Sequence, residues 1–140
     1  MTFIPEQSIV AVGPVIIEDG KILLNREKDA DGTEHKNFMI PGGKIEDYSL
    51  PLAETCKREV KEEMGLDIEI LQPLDTIMIP HPKTSGVVIL IHYLAKRLND
   101  VLPGEQTIEW GWFDIDNIPE NVTPNVHAVV KTYKNTINNK

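Results

Sequence analysis

Residues 58 to 66 read Arg58-Glu59-Val60-Lys61-Glu62-Glu63-Met64-Gly65-Leu66, and no other stretch gathers so many side chains able to do chemistry. On a helix, residues three and four apart share a face. At 100° per residue, Glu59, Glu62 and Glu63 fall within one arc of about 100°. Three carboxylates crowded on one turn repel each other, at a few tenths of a kcal/mol for each exposed pair. A divalent cation reverses that sign, and carboxylate-dense, oxygen-rich sites suit Mg²⁺ or Mn²⁺. An acidic helix face is also common as plain solvated surface, so the pattern acquires meaning only from the elements that position it.

The helix carrying these acids is predicted from residue 50 or 51 to Met64. Ser49 is the expected N-cap, and Pro51 falls in the first turn, where its missing N–H does no harm. Gly65 is a natural C-terminal stop. Ala53, Cys56, Val60 and Met64 form an apolar stripe, which clamps the helix on a sheet while the carboxylates look into a cleft. Upstream, Phe38-Met39-Ile40 reads as a short strand entering the turn Pro41-Gly42-Gly43. Residues 8–17 and 22–26 read as strands joined by the turn Glu18-Asp19-Gly20-Lys21, a hairpin. Residues 27–37 are a polar loop. Residues 66–79 and 86–98 read as long strands, and residues 109–114 as a further strand carrying Trp110, Trp112 and Phe113. Thr123 is the expected N-cap of a second helix running to about Ile137, with Val126, Val129, Val130 and Tyr133 inward. Strands flanked by two helices predict an α/β (α+β) fold, a mixed sheet between helical layers. With no repeat, low-complexity tract or linker, one domain over residues 1–140 is expected.

Taken together, the glycine turn and the acidic helix resemble the signature of the Nudix hydrolases, G-x5-E-x7-R-E-U-x-E-E-x-G-U with U aliphatic. The half R-E-U-x-E-E-x-G-U is matched in full by Arg58 to Leu66. The first half departs from it: the family places 13 residues between the first Gly and the Arg, whereas Gly43 and Arg58 enclose 14. The first glutamate of the signature should fall at Ser49 or Leu50, and neither is acidic; the nearest acids are Glu46, Asp47 and Glu54. This reads as a one-residue insertion in the loop before the helix, with that glutamate lost or displaced. The resemblance covers nearly the whole chain and implies the α/β/α sandwich, with a central mixed β-sheet, of that family.

It also implies an activity. Nudix hydrolases cleave a pyrophosphate linkage in a nucleoside diphosphate linked to another group, a reaction that needs charge neutralisation and an in-line water. Carboxylates holding Mg²⁺ or Mn²⁺ provide for both. Glu59, Glu62 and Glu63 are accordingly the expected metal ligands, with one of them a candidate base, and Gly43 permits the turn that brings backbone groups to metal and phosphate. Arg58 is expected to tie the glycine loop to the helix. Some relatives carry one more acid after the motif; Glu105 and Glu109 are the candidates here. Arg26, at a strand end, and Phe38, where many relatives carry Trp, are the candidate substrate contacts. His81 and Lys83 lie in a loop and are left out of the set. In the family a proline about sixteen positions after the motif is associated with ADP-ribose hydrolases, and Pro82 lies 16 after Leu66. That favours ADP-ribose or a nucleotide-sugar over a nucleoside triphosphate pyrophosphohydrolase that cleans the nucleotide pool. A catalytically silent Nudix fold that only binds nucleotides is the rival from another class; three crowded acids count against it.

The bulk numbers bound the remainder. The chain has 140 residues, 41% hydrophobic and 26% charged, which is globular composition. A net charge of −8 disfavours nucleic-acid polymers, whose phosphates need basic surface. It leaves room for a small nucleotide, because a bound cation supplies positive charge locally. Cys56 is the single cysteine, so no intrachain disulfide forms. The first seven residues show no leader pattern, and the longest apolar run, residues 87–94, is too short to cross a bilayer. The cytoplasm is the expected location, with no membrane partner. Relatives in the family are often homodimers, though no residue pattern here demands one.

Overall fold

The computed structural model describes residues 6–138; residues 1–5, part of the segment read for a leader, lie outside the described residues. The β-branched run expected as one strand is two. β1 (Ile9–Val15) belongs to one sheet and β2 (Ile17–Glu18) to another, the chain crossing between them at the buried Ile16. Periodicity cannot show this, since the apolar run continues through the crossing. Between β2 and β3 (Lys21–Glu27), Asp19 and Gly20 both take positive φ, 51° and 75°. That is the primed turn whose twist suits a two-residue hairpin.

The first sheet is mixed, with β1 at its centre. β4 (Gly43–Lys44) pairs antiparallel on one side of β1, with Val12 opposite Gly43. β6 (Val87–Arg97) runs parallel on the other side, with Val12 opposite Ile91. β5 (Ile68–Pro80) forms the far edge, antiparallel to β6 and irregular around Pro73. Proline is tolerated there because an edge strand need not donate every N–H. The second sheet is antiparallel, ordered β2-β3-β7, where β7 is Thr107–Asp114. The expected strand at Phe38 to Ile40 is reduced to single bridges, Asn25 with Met39 and Phe38 with Val122.

Helix α1 (Leu52–Met64) buries Cys56, Val60 and Met64 against Val12, Leu23, Leu66, Ile68 and Ala95. Helix α2 (Pro124–Asn138) buries Val126, Val129 and Val130 against Val15, Ile22, Leu24, Phe38 and Ile40. On β3, Leu23 faces the α1 side while Ile22 and Leu24 face the α2 side, the two-residue alternation of a strand covered on both faces. Each such side chain contributes roughly 1.5–3 kcal/mol by leaving water, so both helices are anchored by their apolar stripes and keep their other faces free.

The helix starts correct one expectation. Pro51, at φ −56° and ψ 143°, holds the N-cap position of α1 with no side-chain cap hydrogen bond. Ser49 is not the cap: its N–H and hydroxyl both donate to Asp47 Oδ1, at 2.9 and 2.5 Å. Gly65 ends α1 at φ 65°, its N–H donating to the Lys61 carbonyl. Thr123 precedes α2; its carbonyl accepts from Val126 N–H while its hydroxyl donates to Asn125 Oδ1.

Candidate functional site

The acidic face of α1 stands against the glycine turn. Gly42, at φ 153°, donates its N–H to Glu63 Oε2 at 2.9 Å. A Cβ on Gly42 would lie 2.2 Å from the Val12 carbonyl oxygen, so the turn sits flush on β1. A Cβ on Gly43 would lie 2.2 Å from Glu59 Oε2, which shows that the Glu59 carboxylate occupies the space a side chain would need. Arg58 Nη2 lies 3.6 Å from Glu59 Oε1 on its own helix. Asp47, in the loop leading to α1, is held below the usual carboxylate range, first by the Ser49 hydrogen bonds and in smaller part by the Arg58 charge. No acid stands at Ser49 or Leu50, and Glu46 is close enough for its charge to act on Glu59.

The segment between β6 and β7 completes the cleft. The last carbonyls of a helix lack intrahelical partners, and here that segment supplies them. Leu102 N–H donates to the Met64 carbonyl and Gly104 N–H to the Glu63 carbonyl, both at 2.8 Å. Thr107 Oγ1 donates to the Glu63 carbonyl at 3.2 Å. A Cβ on Gly104 would meet the Glu62 carbonyl oxygen at 2.7 Å, so the approach needs a glycine. This docking brings Glu105 into a cleft of about 360 Å³ lined by Glu59, Glu62, Glu63, Gly104, Glu105 and Gln106.

Of the residues singled out from the sequence, the structure thus gathers Glu59, Glu62, Glu63, Gly43 and Glu105. Glu109 is elsewhere: opposite Arg26 in the β3–β7 ladder, it accepts from Arg26 Nε at 2.8 Å. Arg26 also donates to the His35 carbonyl and lies 5.8 Å from the Phe38 ring centroid. Phe38 is buried in the α2-side core, its ring 4.7 Å from that of Phe113. Lys83 reaches Asp29 at 2.8 Å, tying the loop after β5 to the loop after β3. The residue the sequence reading missed is Glu27. Its side chain meets Glu63 across the site, and nothing in a linear motif could reveal a partner 36 positions away. Burial, then the Glu27 side chain, push Glu63 far above the usual carboxylate range. Glu59 is raised as well, by burial and then by the Glu62 charge.

On the other side of the glycine turn lies an apolar cavity of about 140 Å³, walled by Val12, Gly13, Met39, Ile79, His92 and Asn125 among others. His92 is buried, and burial holds it below its ordinary pKa, so it is neutral. Its Nδ1 lies 2.8 Å from the Asp75 carbonyl and its Nε2 lies 2.9 Å from Asn125 Nδ2. A neutral ring donating from Nδ1 and accepting at Nε2 satisfies both contacts.

Comparison with known proteins settles the family. The model of the NUDIX domain matches residues 7–133. The chain belongs to the Nudix family. A relative from Methanocaldococcus jannaschii named ADP-ribose pyrophosphatase is 33% identical over 113 residues, covering 79% of this chain and 64% of that protein. The chain therefore spans less than two thirds of that relative's length. The crystal structure of a MutT NUDIX hydrolase from Burkholderia pseudomallei is similar with a TM-score of 0.77 at 26% identity, covering 91% of this chain and 98% of that one. A MutT protein from Methanosarcina mazei Go1 shares the fold, with a TM-score of 0.78 at 23% identity over 93% of this chain and 95% of that one.

Whether the Nudix motif of this chain fits a divalent ion is a question of its donor set. Among the described residues, no group of three or more His, Cys, Asp or Glu is gathered tightly enough to hold an ion as the side chains stand. The reason is visible: Glu59 lies against Gly43, and Glu63 turns to Gly42 N–H and Glu27. Glu59 and Glu63 thus turn to different parts of the site. All the donors are carboxylate oxygens on one cleft wall, which is the chemistry Mg²⁺ and Mn²⁺ select. By the chemistry of its donors the set fits such an ion. No helix among the described residues is long and apolar enough to cross a membrane.

Proposed function

We propose that this chain hydrolyses a pyrophosphate linkage in a nucleoside diphosphate derivative, with a divalent ion, Mg²⁺ or Mn²⁺, held by Glu59, Glu62 and Glu63. The observation that carries the reading is the meeting of those three carboxylates with Glu105 in one cleft beside the glycine turn. A bound ion supplies the positive charge that a pyrophosphate needs before water can attack phosphorus. The protein's own groups do the rest. The Gly42–Glu63 hydrogen bond and the close seat of Glu59 on Gly43 fix where the carboxylates start. Arg58 balances Glu59, and Glu105, set in the cleft by the docked β6–β7 segment, is the acid best placed to take a proton from water.

ADP-ribose or a nucleotide-sugar is the favoured substrate. The relative that shares 33% identity carries the name ADP-ribose pyrophosphatase, and Pro82 stands 16 positions after the motif. The apolar cavity across the glycine turn gives a flat, weakly polar ring a place beside the cleft. A hydrolysis screen with Mg²⁺ and Mn²⁺ over ADP-ribose, nucleotide-sugars, nucleoside triphosphates and oxidised nucleotides tests the reading. Turnover is expected first on ADP-ribose or a nucleotide-sugar and absent with chelator. A screen without turnover on any of them, on protein that binds nucleotide, would establish the silent binding module instead.

A further inference from the structure

Glu27 is the last residue of β3 and lies outside the Nudix motif. It pairs with Thr107 in the β3–β7 ladder, just past an irregularity between Arg26 and Glu27 that re-aims the strand end. Its Oε1 accepts from Asn25 Nδ2 at 3.2 Å. The same Nδ2 donates to Thr107 Oγ1 at 3.2 Å, and Thr107 Oγ1 in turn donates to the Glu63 carbonyl. Asn25 is fully buried, and its Oδ1 has no hydrogen-bond partner. Buried amide oxygens are almost always satisfied, so an orphan one on the very amide that holds Glu27 marks a place whose polar complement is incomplete.

Two carboxyl groups brought side by side repel each other unless a cation or a proton stands between them. Solvated acids with no further role swing apart; these two come from separate elements and are braced by Asn25, Thr107 and the Gly42 N–H. We propose that Glu27 is a further ligand of the divalent ion, its carboxylate supplied by β3 to close on that ion opposite Glu63 of α1. The proposal rests on the metal-dependent reading above and extends it: the helix furnishes one wall of the ion site, and the end of β3 furnishes the other. Asn25 is then the positioning residue for Glu27.

The test needs no substrate. Mn²⁺ is titrated into the full chain, and the free ion is followed by its electron paramagnetic resonance signal. Glu27→Gln is expected to weaken Mn²⁺ binding about tenfold or more, and to shrink the rise in Tm that Mn²⁺ gives the wild type. Glu69→Gln, exposed on β5, serves as the control and should bind as the wild type does. A purely structural acid pair predicts the opposite for Glu27→Gln, because a glutamine amide donates to Glu63 equally well; binding within twofold of wild type overturns the proposal. Should Glu27→Gln fail to fold, Glu27→Asp carries the same test, with weakened Mn²⁺ binding expected and unchanged binding fatal. Wild-type protein that binds no Mn²⁺ would sink the metal-dependent reading itself, whereas equal binding by wild type and variant sinks only the role of Glu27.

Discussion

The two recesses on either side of Pro41-Gly42-Gly43 differ in almost everything except that turn. One is a cleft walled by Glu59, Glu62, Glu63 and Glu105, where charge is concentrated and carboxylates are pushed toward protonation. The other is apolar, with a neutral His92 and Asn125 as its few polar groups. Gly42 and Gly43 border the apolar cavity while touching Glu63 and Glu59. The contrast teaches how a small domain keeps a charged recess and an apolar one apart. Two glycines, without side chains to fill the gap, form the partition between charge on one side and apolar shape on the other.

The largest effect is expected from emptying the charged side. Glu63→Gln should cut turnover by orders of magnitude, while metal-free protein melts at a higher temperature, because a buried carboxyl facing Glu27 is replaced by a neutral amide. Steady-state rates and thermal scans of the same sample check both halves.

Next comes the partition itself. Gly42→Ala should destabilise the fold by about 3 kcal/mol, because its φ of 153° disfavours a side chain and the new Cβ would meet backbone of β1. Gly43→Ala meets only the flexible end of Glu59, so its stability should change by less than about 1 kcal/mol. Its turnover should nevertheless fall by roughly a hundredfold as Glu59 is pushed aside. Denaturant midpoints and rates for the pair separate fold from function.

On the apolar side, Asn125→Ala should raise KM with little change in kcat, and should cost about 1–2 kcal/mol by stranding His92 Nε2. The smallest effect is a pH slope. His92 has a folded pKa below its unfolded value, so its contribution is fully present above about pH 6.5 and is lost as pH falls through that value toward the folded one. Because Glu63, raised by burial, contributes with the opposite sign over the same range, the His92 share is read as the difference between the wild-type and His92→Gln unfolding profiles from pH 7 to pH 5, the wild type losing ground relative to the variant as pH falls.

The same contrast explains what could be read in advance. The acids of α1 were legible because a helix imposes its period on sequence, and the stripe Cys56, Val60, Met64 fixed which face they would turn outward. Glu105 was legible only as one of two candidates, since what separates it from Glu109 is Arg26 across a ladder. Glu27 was invisible, because strand ends make contacts that no local spacing encodes. Ser49 misled for a related reason: a good capping residue found a nearer partner in Asp47, and Pro51 began the helix by its fixed φ. The break between β1 and β2 was hidden by an unbroken apolar run, whereas Phe38, offered both as core and as a substrate contact, packs into the core beside Phe113. The apolar cavity could not be foreseen at all, because its walls come from β1, β6, the turn and the start of α2.

Both tryptophans of the chain, Trp110 and Trp112, lie on β7. Trp112 is 5.7 Å from the Arg97 guanidinium, and Trp110 is 37% exposed opposite Asn25. All indole emission therefore arises from one strand, the strand whose first residue is bonded to the carbonyl of Glu63. The molecule carries its own optical gauge: excited at wavelengths that tyrosine does not absorb, an unlabelled sample reports from the one strand that begins at the acidic cleft.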